Sequence, residues 1–237
     1  MKKKYMLVVL LGIAGVMLSG TIQAATVNIF ESTGTPETVD SLSTWSTTGL
    51  DMTGMEVIVN YWGGGSETTS WDMTGAGTGA VGADWSLSIL DPSLTTYYSG
   101  IWNLETSSSS GIASIILNGF DHNVVFDNDE VNYPGTAGSE WGIPFTTDYY
   151  ATATTYAGNI DVTYSGGVAI AGSSVFGDLF QSMEINFRDG AFTAADSLTY
   201  YQDTDNLTNP VPEPATMLLF GVGIAGLVGS QIRRKKS

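Results

Sequence analysis

Between residues 25 and 210, apolar side chains come in short runs that alternate with polar ones, and no stretch keeps the 3.6-residue period of a packed helix. Val57, Val59 and Tyr61 alternate with Glu56 and Asn60. Trp85, Leu87 and Ile89 alternate with Ser86 and Ser88, and Met183, Ile185 and Phe187 form a third set. A period of two places one set of side chains on one face of a sheet, so the chain must bury strands against something. Ile112 to Leu117 is more continuously apolar, as a strand buried on both faces would be, and Asn123 to Phe126 is expected to pair with it across Asn118-Gly119. The sharpest turn signal is Ser165-Gly166-Gly167, set between Ile160-Asp161-Val162-Thr163-Tyr164 and Val168-Ala169-Ile170, which predicts a tight hairpin. Many short strands punctuated by Gly, Ser and Asn predict an all-β sandwich, with a jelly roll as one form of it.

The two ends of the chain are of another kind. Lys2, Lys3 and Lys4 precede the apolar run Tyr5 to Leu18, and Ser19 to Ala24 is small and polar. That is the layout of a secretory signal peptide over residues 1–24, with Ala24 as the last residue removed and Ala25 as the neighbouring option. The apolar run is short for a retained anchor. Near the other end, Pro212 and Pro214 stiffen the backbone around Glu213. The 18 residues from Ala215 to Ile232 carry no ionisable group. As a helix they would reach about 27 Å, enough for a thin bilayer. Arg233, Arg234, Lys235 and Lys236 then supply the positive charge retained on the cytoplasmic side. Gly221, Gly223 and Gly226 spell a dinucleotide-binding fingerprint, but no βαβ unit surrounds them. Gly221, Ala225 and Gly229 instead form a small-residue stripe of the sort membrane helices use for close approach.

Taken together, Pro212-Glu213-Pro214, the apolar span and the basic cluster over residues 211–237 resemble the PEP-CTERM sorting signal of bacterial surface proteins. The resemblance implies an exported precursor held at the inner membrane and processed by an exosortase-type membrane enzyme. It also implies a mature form at the cell surface or outside the cell, associated with exopolysaccharide or other matrix components. Residues 25–203 are then expected to form the ectodomain and residues 204–210 a stalk.

With both ends set aside, one arginine (Arg188) stands against 23 acidic residues, a net charge of −22. Such a domain lacks the basic footprint that nucleic acid or anionic lipid requires. It can attract calcium or cationic groups on a matrix polymer, and like charge also keeps a secreted β-protein soluble. Cysteine is absent, so stability rests on the core alone.

Chemistry has few footholds. His122, the one histidine, sits in a polar turn with no nucleophile motif around it. Glu56, Glu140 and Glu184 are the first candidates for the paired carboxylates of a glycosidase. Asp127-Asn128-Asp129-Glu130 and Asp203-Thr204-Asp205-Asn206 offer closely spaced oxygens for calcium, but neither matches a twelve-residue calcium loop, and a solvated acidic turn is the favoured reading. Six tryptophans and the pairs Tyr97-Tyr98, Tyr149-Tyr150 and Tyr200-Tyr201 supply core, with Trp62 and Trp141 expected at the surface, where a ring can stack on a sugar. The sequence therefore predicts a non-catalytic envelope or matrix protein without cofactor, calcium being the one candidate ion. A carbohydrate-active enzyme on a jelly-roll scaffold is the alternative.

Overall fold

The computed structural model describes residues 25–208, apart from 33, 45–46, 75–76, 90, 92, 94–95, 97–99, 129–141, 148–153 and 173–177. The signal region and the apolar C-terminal span lie outside the described residues. Among those described, no helix is long and apolar enough to cross a membrane, and the one helical element is a 3₁₀ turn at Phe120–His122.

The rest is strand. Five strands precede the first sheet change: β1 (Thr26–Glu31), β2 (Glu37–Val39), β3 (Leu42–Thr44), β4 (Glu56–Tyr61) and β5 (Ser66–Ser70). The smaller sheet begins with β6 (Asp72–Thr74), β7 (Gly77–Val81), β8 (Trp85–Ile89) and β9 (Trp102–Thr106). The chain then returns with β10 (Ile112–Asn118), β11 (Val124–Asp127), β12 (Asn159–Ile170) and β13 (Leu179–Phe187). It finishes with β14 (Ser197–Tyr200) and β15 (Asp203–Leu207). The large sheet runs β3-β15-β11-β13-β10-β4-β5, with β12 on β13, and β1 and β2 both on β12; the small sheet runs β14-β9-β8-β7-β6.

The two sheets share one core, an arrangement consistent with a β-sandwich. Val57, Val59, Ile115, Leu117, Ile160, Val162, Met183 and Ile185 of the large sheet join Leu87, Ile89, Trp102, Leu104 and Leu198 of the small one, all buried. Aromatic rings fill the space between: Trp71 and Trp102 lie 5.0 Å apart between ring centres, Phe145 and Tyr200 4.6 Å. Pairing is antiparallel throughout except where β1 and β2 run parallel to β12. That departs from the jelly roll, whose two Greek keys are antiparallel.

Two expected turns are not turns. Ile160 to Ile170 is one continuous strand, β12, and Gly166 bends it without reversing it. Gly166 has φ 68°, a conformation open to glycine and strained for other residues. Its effect is to flip the sheet. Tyr164 and its partner Met183 face the main core, yet Val168 and its partner Leu179 belong to a second cluster with Val125, Ile170 and Leu207. On β13, Phe180 and Met183 both face the main core although they are three residues apart, so the alternation slips on both strands at once. The pairing register survives, and the faces exchange.

Neighbouring strands break at the same level. Residues 119–123 loop out between β10 and β11, which both lie along β13 instead of pairing with each other. The loop closes on itself: Val124 N–H donates to Gly119 O at 3.0 Å, and a Cβ at Gly119 would sit 2.7 Å from Val124 O. On the opposite side, residues 32–36 step the chain from β1 to β2. A crease thus crosses four strand tracks.

Candidate functional site

The fold joins the two acidic segments whose first residues, Asp127 and Asp203, lie 76 positions apart in the sequence. β11 pairs with β15 so that Asp127 lies opposite Asp203, and Val125 opposite Asp205. Asp127, Asp203 and Asp205 are all fully buried, which corrects the solvated-turn reading for the second segment and for Asp127 of the first. Residues 204–207 likewise belong to a buried strand, so the ectodomain runs on through Leu207 and the expected stalk does not begin at 204.

Asp203 sits at the centre. Its Oδ1 accepts from Thr96 Oγ1 at 2.8 Å and from Thr204 N–H at 2.9 Å, whereas Oδ2 is buried without a donor. Burial, followed by the charges of Asp205 and Asp127, holds its carboxyl well above the usual carboxylate range, outweighing the two donors. Gln202 ties the layers below: its amide donates to Asp127 O at 2.8 Å and Asp203 O at 2.7 Å, and its carbonyl accepts the Tyr164 hydroxyl. Trp102 Nε1 donates to Gln202 O at 3.1 Å. Among the described residues no group of three or more His, Asp or Glu is arranged to hold a metal ion. Asp129 and Glu130 lie outside them.

A cavity of about 360 Å³ opens at the crease, between β2, the residue 119–123 loop and the end of β15. Glu37, Asp40 and Asp121 line it together with the apolar Val39, Phe120 and Leu207. Gln181, opposite Gly166 at the flip, donates to Glu37 Oε2 at 3.1 Å. Asn123, in the left-handed region at φ 62°, closes the loop beside it. Sequence reasoning missed this place because the crease is set by register among strands distant in the chain.

The other singled-out residues scatter. Glu56 on β4 and Glu184 on β13 flank β10 on the solvent side of the large sheet, since their neighbours Val57 and Ile185 face the core. They share a face and do not oppose one another; Glu140 lies outside the described residues. His122 is exposed in the 3₁₀ turn. Trp62 is 54% exposed at the head of the Gly63-Gly64-Gly65 turn, as expected, while Trp71, Trp85, Trp102, Tyr200 and Tyr201 are buried. Trp45, Trp141, Tyr97-Tyr98 and Tyr149-Tyr150 lie outside the described residues. So do Ala24, Pro212, Glu213, Pro214, Arg233, Arg234, Lys235 and Lys236.

Glu67 is a junction between the sheets. Its carboxylate accepts from the Tyr61 hydroxyl at 2.8 Å, Trp85 Nε1 at 2.9 Å and Ala83 N–H at 3.0 Å. Burial first, then hydrogen bonds to Glu67 and Asp84, raise the Tyr61 phenol far above its ordinary value, so it stays a donor.

Comparison with curated proteins and with solved structures gave no match to the chain. Residues 210–235 match the family model described as the PEP-CTERM protein-sorting motif, the same segment whose prolines, apolar span and basic cluster carried the resemblance. By that match, this is a β-sheet protein bearing a PEP-CTERM protein-sorting motif.

Proposed function

We propose that the chain is an exported envelope or matrix protein whose β-domain binds or builds and does not turn over a substrate. The single observation that carries this is the sorting motif at residues 210–235. The secretory signal at residues 1–24 delivers the chain, the span at about 215–232 holds the precursor at the inner membrane, and an exosortase-type enzyme acts near Pro212-Glu213-Pro214. The mature domain then sits at the cell surface or in the surrounding matrix.

Three features support contact over catalysis. Trp62 offers one exposed ring, the crease cavity offers a small acid-lined recess, and the solvent side of the large sheet carries amides and hydroxyls (Asn60, Asn118, Asn186, Thr163). Exopolysaccharide or another matrix polymer is the partner this surface suits. Calcium enters at most as a counter-ion to the net negative domain. The carbohydrate-active alternative would need two carboxylates facing across a cleft, and Glu56 and Glu184 stand side by side on one face.

Cell fractionation tests the reading. Deleting residues 210–235 should leave the domain soluble in the periplasm, while the intact chain reaches the surface or the medium. Identical distribution of the two forms would refute it.

A further inference from the structure

A strip of side chains crosses the solvent side of the large sheet, running over its strands and not along them. Register places Phe30, Thr163, Glu184, Ile116, Ile58 and Thr68 in one row over β1, β12, β13, β10, β4 and β5. The chain neighbours Val57, Val59, Ile115, Leu117, Val162 and Ile185 face the core, so the row faces water. Regular alternation would make it polar. Instead Ile58 and Ile116 lie opposite one another and partly exposed, and Phe30 is 50% exposed.

Two residues along each strand in either direction, the rows turn polar. Asn28, Asn186, Asn60 and Ser66 stand on one flank, about 7 Å from the strip. Ser165, Ser182, Asn118 and Ser70 lie toward the other flank, beside Glu56. Asn60 Nδ2 donates to Ser114 Oγ at 2.9 Å, and Ser165 and Ser182 share a hydrogen bond at 2.7 Å. Among the described residues the side chains of Thr163 and Asn186 carry no hydrogen bond, which leaves them open to a ligand.

An apolar floor between polar edges suits a sugar ring, which presents C–H groups on its faces and hydroxyls around its rim. The spacing suits a chain of them. Neighbouring strands lie about 4.8 Å apart, and an extended β-linked polysaccharide advances by roughly that distance per ring. Six strands thus offer about six ring positions over about 24 Å. Charge then selects among glycans. Glu184 lies in the strip and Glu56 on its flank, while Arg188, the one Lys or Arg between residues 25 and 210, is bound to Asp161 at 3.0 Å. A uronate or sulfated chain would meet like charge here.

We propose that this strip is the binding track for an extended, β-linked polysaccharide without acidic groups, laid across the strands over Phe30 and the Ile58–Ile116 pair. The inference rests on the matrix-polymer reading above and gives that polymer a chemical class and a seat.

Titration calorimetry on the full-length chain tests it, in a detergent whose headgroup is not a sugar. The probes are cellulose- and chitin-derived oligosaccharides of two to about six rings. The wild type should bind at least one series saturably, with affinity climbing at each added ring. Phe30→Ala and Ile116→Thr should each weaken binding of the longest probe about three- to tenfold. Val81→Ser, which trims a 55% exposed side chain on the small sheet, should bind as the wild type does. No saturable binding of either series overturns the proposal. So does equal affinity in the wild type and the strip variants, or tighter binding of a galacturonate oligomer of the same length. Should Ile116→Thr not fold, Asn186→Ala on the flank takes its place with the same expectation. Cell fractionation tests the matrix reading separately: a surface-located domain that binds neither series leaves that reading standing and removes this one.

Discussion

Replacing Glu67 by alanine removes a side chain that fastens β5 of the large sheet to the β7–β8 turn of the small one. Its three donors lose their acceptor unequally. Trp85 is 3% exposed, so its Nε1–H is left buried and unpaired, a loss of about 1–3 kcal/mol. Ala83 is exposed, and water replaces the carboxylate at its N–H for little cost. The Tyr61 hydroxyl retains Asp84 Oδ1 at 3.1 Å. Glu67 itself is half-buried, so screening keeps the charge contribution small. The sum is about 2 kcal/mol, nearly all from one indole. Glu67→Gln retains a carbonyl acceptor and should lose about 1 kcal/mol. Urea denaturation reads both as shifts in midpoint at unchanged slope. In the Trp85→Phe background the indole N–H is already gone, so Glu67→Ala should then cost less than half its original value. An alanine variant within about 0.5 kcal/mol of wild type, or an equal cost with and without the indole, would refute the reasoning.

Gly166→Ala should destabilise by about 1–2 kcal/mol, since its positive φ strains an L side chain and the added Cβ would stand 2.9 Å from the Gln181 side chain. Gly167→Ala should be near neutral, because its nearest neighbour would be Pro36 at 3.7 Å. A tight hairpin turn would penalise both, so thermal melts of the pair distinguish flip from turn. Trp62→Ala should change stability by less than about 0.5 kcal/mol while removing the fluorescence most open to acrylamide quenching among the described tryptophans. An unchanged quenching curve would contradict its exposure.

Much of the fold was legible because period-two burial is a local signal. Val57 and Val59, Trp85, Leu87 and Ile89, and Met183, Ile185 and Phe187 are all buried as their alternation predicts. Trp62 was readable for the same reason in reverse: three glycines after it leave nothing to cover the ring. The crease was not legible. Positive φ at Gly166 is compatible with reversing a strand or with flipping its faces, and only the partner strand's matching slip at Gln181 decides between them. β15 was hidden by its own chemistry. Asp-Thr-Asp-Asn is a poor strand sequence, and it becomes one only against β11, with Thr96 and Gln202 meeting its polar groups. The acidic cluster was therefore visible as two separate segments, never as one site. The sorting motif was legible throughout, since its prolines, apolar length and basic end act without any tertiary partner.

The most direct test is the mature C-terminus of the protein from its native host, read by intact mass for the wild type and for Glu213→Ala. Sorting through Pro212-Glu213-Pro214 predicts that the wild type has lost the segment from about 215 to 237 and that the variant retains it. A fully exported wild-type protein that still ends in Arg233-Arg234-Lys235-Lys236-Ser237 would contradict the account and make the chain a permanently anchored membrane protein.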